Sequence, residues 1–254
     1  MSEKIKVSAV SYLNTAPFVY GLKHAEIGDS IYLMLDYPAE CARKVISGES
    51  DIGLVPLASI IGRKEFKIIT DYCIGAKERV RTVSLLSNSS IDEIDTIYLD
   101  YHSLTSITLI KVLAKHHWKK SIDWKPFGPI NSLDQILPKQ GIVAIGDKVF
   151  DLESRFKINY DLANEWNALT NLPMVFAVWT TKQELDKSFL ERFNNALKYG
   201  LDRISLSVEY HGNTILPKND AENYLNKNIS FTLDEKKRES INVFSDLAKE
   251  FLVQ

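Results

Sequence analysis

The sequence predicts an α/β protein of two lobes with a ligand cleft between them. Three observations carry this. Strand and helix signals alternate from Ile5 to Ile61, the alternation restarts after the polar break Asn88-Ser89-Ser90, and the chain crosses between the two blocks near 88 and again near 172. Such alternation argues for parallel sheets with right-handed crossovers. The expected organisation is a first lobe of residues 1–87 plus 174–254, which takes back the C-terminal helices, and a second lobe of 88–173. A protein built this way binds its ligand between the lobes and closes about a hinge.

The elements follow in order. Residues 5–10 alternate as a strand. A polar turn comes next (Ser11, Asn14, Thr15), and Pro17 opens a helix running to about Lys23. Thr15 is placed to cap that helix, and proline in a first turn gives up only an N–H with no intrahelical partner. The backbone N–H groups gathered at such a junction suit an anion, and Ser11 and Asn14 add donors. The competing reading is an ordinary turn whose polar residues satisfy their own backbone.

A strand over 31–35 leads to a helix from Pro38, with Cys41, Ala42, Val45 and Ile46 on one face and Gly48 to stop it. A short buried strand over 51–55 precedes a helix expected over 56–61. Strands over 67–74 and 82–87 close the first block. The second block reads as strand 96–99, helix 103–117, strand 122–124, short helix 132–137 and strand 142–145, ending around 160–172. Residues 173–179 are nearly continuously apolar, as in a strand covered on both faces. Helices are expected over 188–205, 221–226 and 233–251. The last carries Ile241, Phe244, Leu247, Ala248 and Phe251 on one stripe.

Composition narrows the function. The 254 residues are 45% hydrophobic, enough for a sizeable core, and 31 basic against 33 acidic residues give a formal net charge of -2. No charge block is long enough for a nucleic-acid or membrane patch. Cys41 and Cys73 stand far apart without metal-like spacing, which suits reduced core thiols of a cytosolic protein. No signal-peptide pattern is visible near the N-terminus, and the longest mostly apolar run, 52–61, is too short to span a bilayer. The expected location is the cytoplasm.

Asp100-Tyr101-His102-Ser103-Leu104-Thr105-Ser106 joins a strand to a helix and is the clearest second-lobe site. One hydroxyl serves as a cap, and three in four residues exceed that need. Asp147, at the end of the strand ending in Gly146, is either an acid–base group or a structural partner of Lys148. Ser84 either points into the cleft or satisfies the sheet. Of the histidines only His102 lies in a binding turn, and solvent exposure is its other reading. No HExxH, P-loop, GxGxxG or GxSxG motif occurs.

Several stretches together resemble the chorismate dehydratase family of the futalosine route to menaquinone. They are Ser11-Tyr12-Leu13-Asn14-Thr15, Asp51-Ile52-Gly53-Leu54-Val55-Pro56, Val83-Ser84-Leu85, and Asp100 with Ser103, Thr105 and Ser106. Ile145-Gly146-Asp147, Asp161-Leu162 with Trp166, and Thr170-Asn171-Leu172-Pro173 running on through Trp179 extend the match over nearly the whole chain. The chain departs from the family at Tyr101 and His102, before Ser103, and at Phe150, where a smaller residue is usual.

The resemblance implies a type II periplasmic-binding-protein-like fold with the ligand in the interlobe cleft. It implies a hydro-lyase that converts chorismate to 3-[(1-carboxyvinyl)oxy]benzoate and water without metal or organic cofactor. Its partner is then a small molecule, with no nucleic acid and no membrane involved; the oligomeric state stays open. Ser11, Tyr12, Asn14, Pro56, Ser84, Ser103, Thr105 and Ser106 are the expected substrate-binding residues, and Asn14 and Asp147 the catalytic ones. Asp147, His102 and the substrate's own enolpyruvyl carboxylate, oriented by Asn14, are the alternatives for the base. The rival readings are a non-catalytic small-anion solute-binding protein, the sister dihydroxynaphthoate synthase and a regulator's effector domain.

Overall fold

Strand β1 (Ile5–Val10) sits inside the first sheet because its apolar residues are buried on both faces from Val7 onward. The computed structural model describes residues 4–100, 102–127, 136–212 and 215–252. Along the chain come β2 (Ile31–Asp36), β3 (Ile52–Pro56), β4 (Lys67–Ala76), β5 (Val83–Ser87), β6 (Thr96–Leu99), β7 (Asp123–Pro126), β8 (Gln140–Ile145), β9 (Ile158–Asp161) and β10 (Met174–Thr181). They form two five-stranded sheets, ordered β2-β1-β3-β10-β4 and β7-β6-β8-β5-β9.

Both sheets are mixed, where purely parallel ones were expected. β1 runs parallel to β2 and β3, whereas β10 is antiparallel to β3 and β4; β5 is antiparallel to β8 and β9. In each sheet the reversed strand is one that arrives from the other block rather than through a βαβ crossover. This also moves the expected boundary at 87. The strand Val83–Ser87 pairs only within the second sheet, so the first crossing precedes it.

The helices are α1 (Ala16–His24), α2 (Pro38–Ser47), α3 (Leu104–Val112), α4 (Val149–Leu152), α5 (Leu162–Thr170), α6 (Lys187–Leu201), α7 (Ile204–His211), α8 (Lys218–Lys227) and α9 (Glu235–Leu252). Gly48 ends α2 in the left-handed conformation, as its sequence indicates. The helix expected over 56–61 is a single 3₁₀ turn, Leu57–Ser59, after which Gly62 reverses the chain at φ 77°. The helix expected over 103–117 ends in a π-helical turn, Leu113–His117. That over 188–205 breaks at Asp202–Arg203 into α6 and α7. Of the helix expected over 132–137, residues 132–135 lie outside the described residues, as does Tyr101.

Two features fix the site's scaffold. α1 and α6 cross backbone to backbone at Gly21 and Gly200; a Cβ on Gly200 would lie 1.7 Å from the Pro17 carbonyl oxygen. The start of α1 is thereby held in place. α9 braces the lobes, with Trp166 of α5 donating from Nε1 to Ser240 Oγ at 3.0 Å. Cys41 and Cys73 are free, buried thiols, each pushed up to about 12 chiefly by burial. No helix among the described residues is long and apolar enough to cross a membrane.

Candidate functional site

The cleft opens between the first-lobe turn after β1 and the second-lobe turns after β6 and β8. The space between these walls, open solvent at the mouth included, is about 440 Å³. Tyr12, Asn14 and Pro56 form the first-lobe wall; Ser103, Ser106 and Gly146 face them. No charged side chain lines it among the described residues. Helix starts stand there instead: α1 begins beside Thr15, α2 with Pro38 and α3 beside Ser103, and all three residues line the cleft. Convergent helix starts present partial positive charge to an anion.

Asn14 lies in a 3₁₀ turn, Leu13–Thr15, wedged between β1 and α1. Its Oδ1 is buried and lacks a hydrogen-bond partner among the described residues. A buried polar atom in that state is costly unless something else meets it. Thr15 does not cap α1 as expected. Its hydroxyl sits 2.7 Å from the Tyr12 carbonyl and 2.5 Å from that of Val10, holding the turn to the end of the strand. Ser103 does cap its helix: Oγ accepts from Ser106 N at 3.4 Å and from Ser106 Oγ at 3.2 Å.

Tyr12 reaches across the cleft. Its ring covers Gly146, where a Cβ would meet ring carbons at 2.7–2.9 Å; Gly146 has φ 75°. Burial, reinforced by the charges of Asp100 and Asp147, pushes the Tyr12 phenol above its ordinary value, so it remains a neutral donor. At the rim Asp100 is 4% exposed, accepts from the His102 backbone N–H at 3.2 Å, and lies within ion-pair distance of His102 Nδ1, at 2.6 Å, and of Lys148 Nζ. His102 stacks on Tyr37, with centroids 5.0 Å apart, and its carbonyl accepts from Ala39 N at 3.0 Å.

Four of the expected residues stand elsewhere. Asp147 does not line the cleft: both carboxylate oxygens accept from Leu13 N–H, at 3.0 and 3.1 Å, latching one lobe to the other. Burial raises its carboxyl above the ordinary range, against the Leu13 N–H and His211, which lower it. Thr105 is fully buried, donates to the Phe176 carbonyl at 3.0 Å and accepts from Ala58 N at 3.1 Å. Its hydroxyl is spent on joining α3 to the first lobe. Ser11 serves through its backbone: its N–H donates to Asp36 O, and its carbonyl lies 3.2 Å from His211 Nε2. Among the described residues Ser84 Oγ is buried without a partner, and it lies outside the cleft wall.

Thr82, Gly146 and Phe176 line the cleft but escaped the reading of site residues. Thr82 had a visible signal, a hydroxyl two residues from Ser84 at the crossing. Gly146 had none, since only the Tyr12 ring across the cleft explains it.

The strand order 2-1-3-n-4 in both sheets, with a cleft between them, defines a periplasmic-binding-protein-like α/β fold. Solved structures agree on the fold. A protein from Archaeoglobus fulgidus superposes with a TM-score of 0.77 at 16% identity, covering 99% of each chain. The alkanesulfonate-binding protein SsuA from Xanthomonas axonopodis pv. citri gives 0.68 at 13% identity, over 99% of this chain and 94% of its own. Within that class, the chain belongs to the menaquinone biosynthesis family, whose pattern matches residues 5–250. A relative from Thermus thermophilus named chorismate dehydratase is 25% identical over 213 residues, covering 76% of each chain.

Proposed function

We propose that this protein is a hydro-lyase that dehydrates chorismate to 3-[(1-carboxyvinyl)oxy]benzoate. The observation that carries the proposal is Asn14: among the described residues its buried amide oxygen has no partner, so it can accept from a ligand hydroxyl such as the one chorismate loses, at the wall of a cleft where three helices start and no charged side chain stands. Membership of a menaquinone family and likeness to a chorismate dehydratase support the choice of substrate. Chorismate is a dianion, and convergent helix starts with Ser103 and Ser106 can seat its carboxylates without arginine.

In the reaction, the proton leaves the ring carbon that bears the enol ether. Its electron pair forms the new ring double bond, and the hydroxyl on the adjacent carbon departs, taking up a proton as water. Aromatisation drives the step, so the protein has to orient the ring, exclude water and assist the leaving group. Asp147 is occupied by Leu13 N–H, and His102 sits half-exposed at the rim with Asp100. These placements favour the enolpyruvyl carboxylate of the substrate as base, with the Asn14 amide orienting it.

Incubation with chorismate, followed by absorbance and mass, tests the reading. The benzoate should accumulate with one water lost per chorismate. Saturable binding without product would instead support a small-anion-binding protein.

A further inference from the structure

Tyr224 of α8 is not part of the cleft wall, yet its hydroxyl reaches the cleft through Thr82. The two oxygens are 2.8 Å apart, and each residue is only 1% exposed. Thr82 itself is fixed by its backbone: its carbonyl accepts from Gly146 N at 2.9 Å. The preceding N–H groups of Val80 and Arg81 donate to Asp161, at 3.1 and 2.6 Å. What remains free is the rotation of the Thr82 hydroxyl.

Two hydroxyls joined by one hydrogen bond have two hydrogens to place, and only one lies between them. If Thr82 donated, the Tyr224 hydrogen would have no acceptor among the described residues, beside a Phe150 ring packed edge-on at 5.1 Å. An unmet donor at that depth is costly. If Tyr224 donates, the free hydrogen belongs to Thr82, a residue of the cleft wall. Burial pushes the Tyr224 phenol above its ordinary value, so the donated hydrogen stays in place.

We propose that Tyr224 is a positioning residue: its hydroxyl donates to Thr82 Oγ1 and so aims the Thr82 hydrogen at an anionic oxygen of the bound ligand. The inference rests on the chorismate reading and deepens it by adding a donor that the helix starts do not supply.

A double-mutant cycle tests it, with chorismate binding, kcat, KM and melting temperature measured for Thr82→Val, Tyr224→Phe and the pair. Thr82→Val should lower kcat/KM on the order of ten- to a hundredfold, and Tyr224→Phe by up to about tenfold. The pair should be no worse than Thr82→Val within about twofold, and should melt higher than it, because the orphaned phenol is gone. Thr82→Ser should keep its sensitivity to Tyr224→Phe. Additive losses, or a Tyr224→Phe variant that loses only melting temperature, would overturn the proposal. A wild-type protein that neither binds nor converts chorismate would overturn the functional reading and this inference with it. That outcome is distinct from additivity in an active enzyme.

Discussion

At the scale of residues, Asn14 and Thr105 both came from stretches that resemble one family, and their surroundings give them opposite duties. Asn14 offers an unmet oxygen to the cleft, whereas Thr105 has one donor and one acceptor, both already used. Asn14→Ala should therefore depress kcat more than it raises KM, because the lost contact matters most in the transition state. A normal kcat with a lowered melting temperature would make Asn14 a turn residue only. Thr105→Val should do the reverse. It orphans the Ala58 N–H and the Phe176 carbonyl, at a cost of roughly 1–3 kcal/mol of stability, with kcat in the folded protein nearly unchanged. Denaturant titration beside steady-state kinetics separates the two outcomes.

At the scale of elements, strand ends and helix starts do the positioning. The Gly21–Gly200 crossing anchors α1, and the Leu13–Thr15 turn then places Asn14 against the cleft. The end of β8 is matched to that turn by shape, since the Tyr12 ring rests on the bare face of Gly146. Gly146→Ala should cost roughly 1–2 kcal/mol for the left-handed backbone alone. It should also drive the ring away and weaken ligand binding. Adding Tyr12→Ala should recover part of the melting temperature but none of the affinity. If Gly146→Ala binds and melts like wild type, the ring contact has no role in closure.

For the whole molecule, the lobes are held closed by bonds between them: Leu13 to Asp147, Ala39 to His102, and Thr105 to Ala58 and Phe176. The Asp147 latch carries a pH dependence. Its carboxyl is raised above the ordinary 3.8 by burial in the closed protein, so the folded state holds that proton more tightly than the unfolded chain. The associated stability is present at acid pH and is lost as pH rises through the carboxylate range. Asp147→Asn keeps an acceptor for Leu13 N–H without the buried charge. The variant should gain melting temperature relative to wild type near pH 7, and the gain should shrink toward about pH 4. A gain that grows on acidification would refute this sign.

Most strand positions, the two-block organisation and the turn containing Asn14 were set by the sequence itself, because hydrophobic period, proline and glycine act over a few residues; the 3₁₀ turn at 57–59 and the break at 202–203 were not. The same local signals placed Ser103 as a cap. Tertiary structure alone decided which hydroxyls face the cleft. Thr105 and Ser84 share their residue type with Ser106 and Thr82, and only packing from distant segments (Ala58 and Phe176 on Thr105, Tyr224 on Thr82) tells them apart. Sheet polarity was decided the same way: β5 and β10 read locally as any other strands, and their antiparallel place depends on pairing with strands from across the chain. Asp147 became a latch because its N–H partner lies 134 residues away, beyond anything a local pattern encodes.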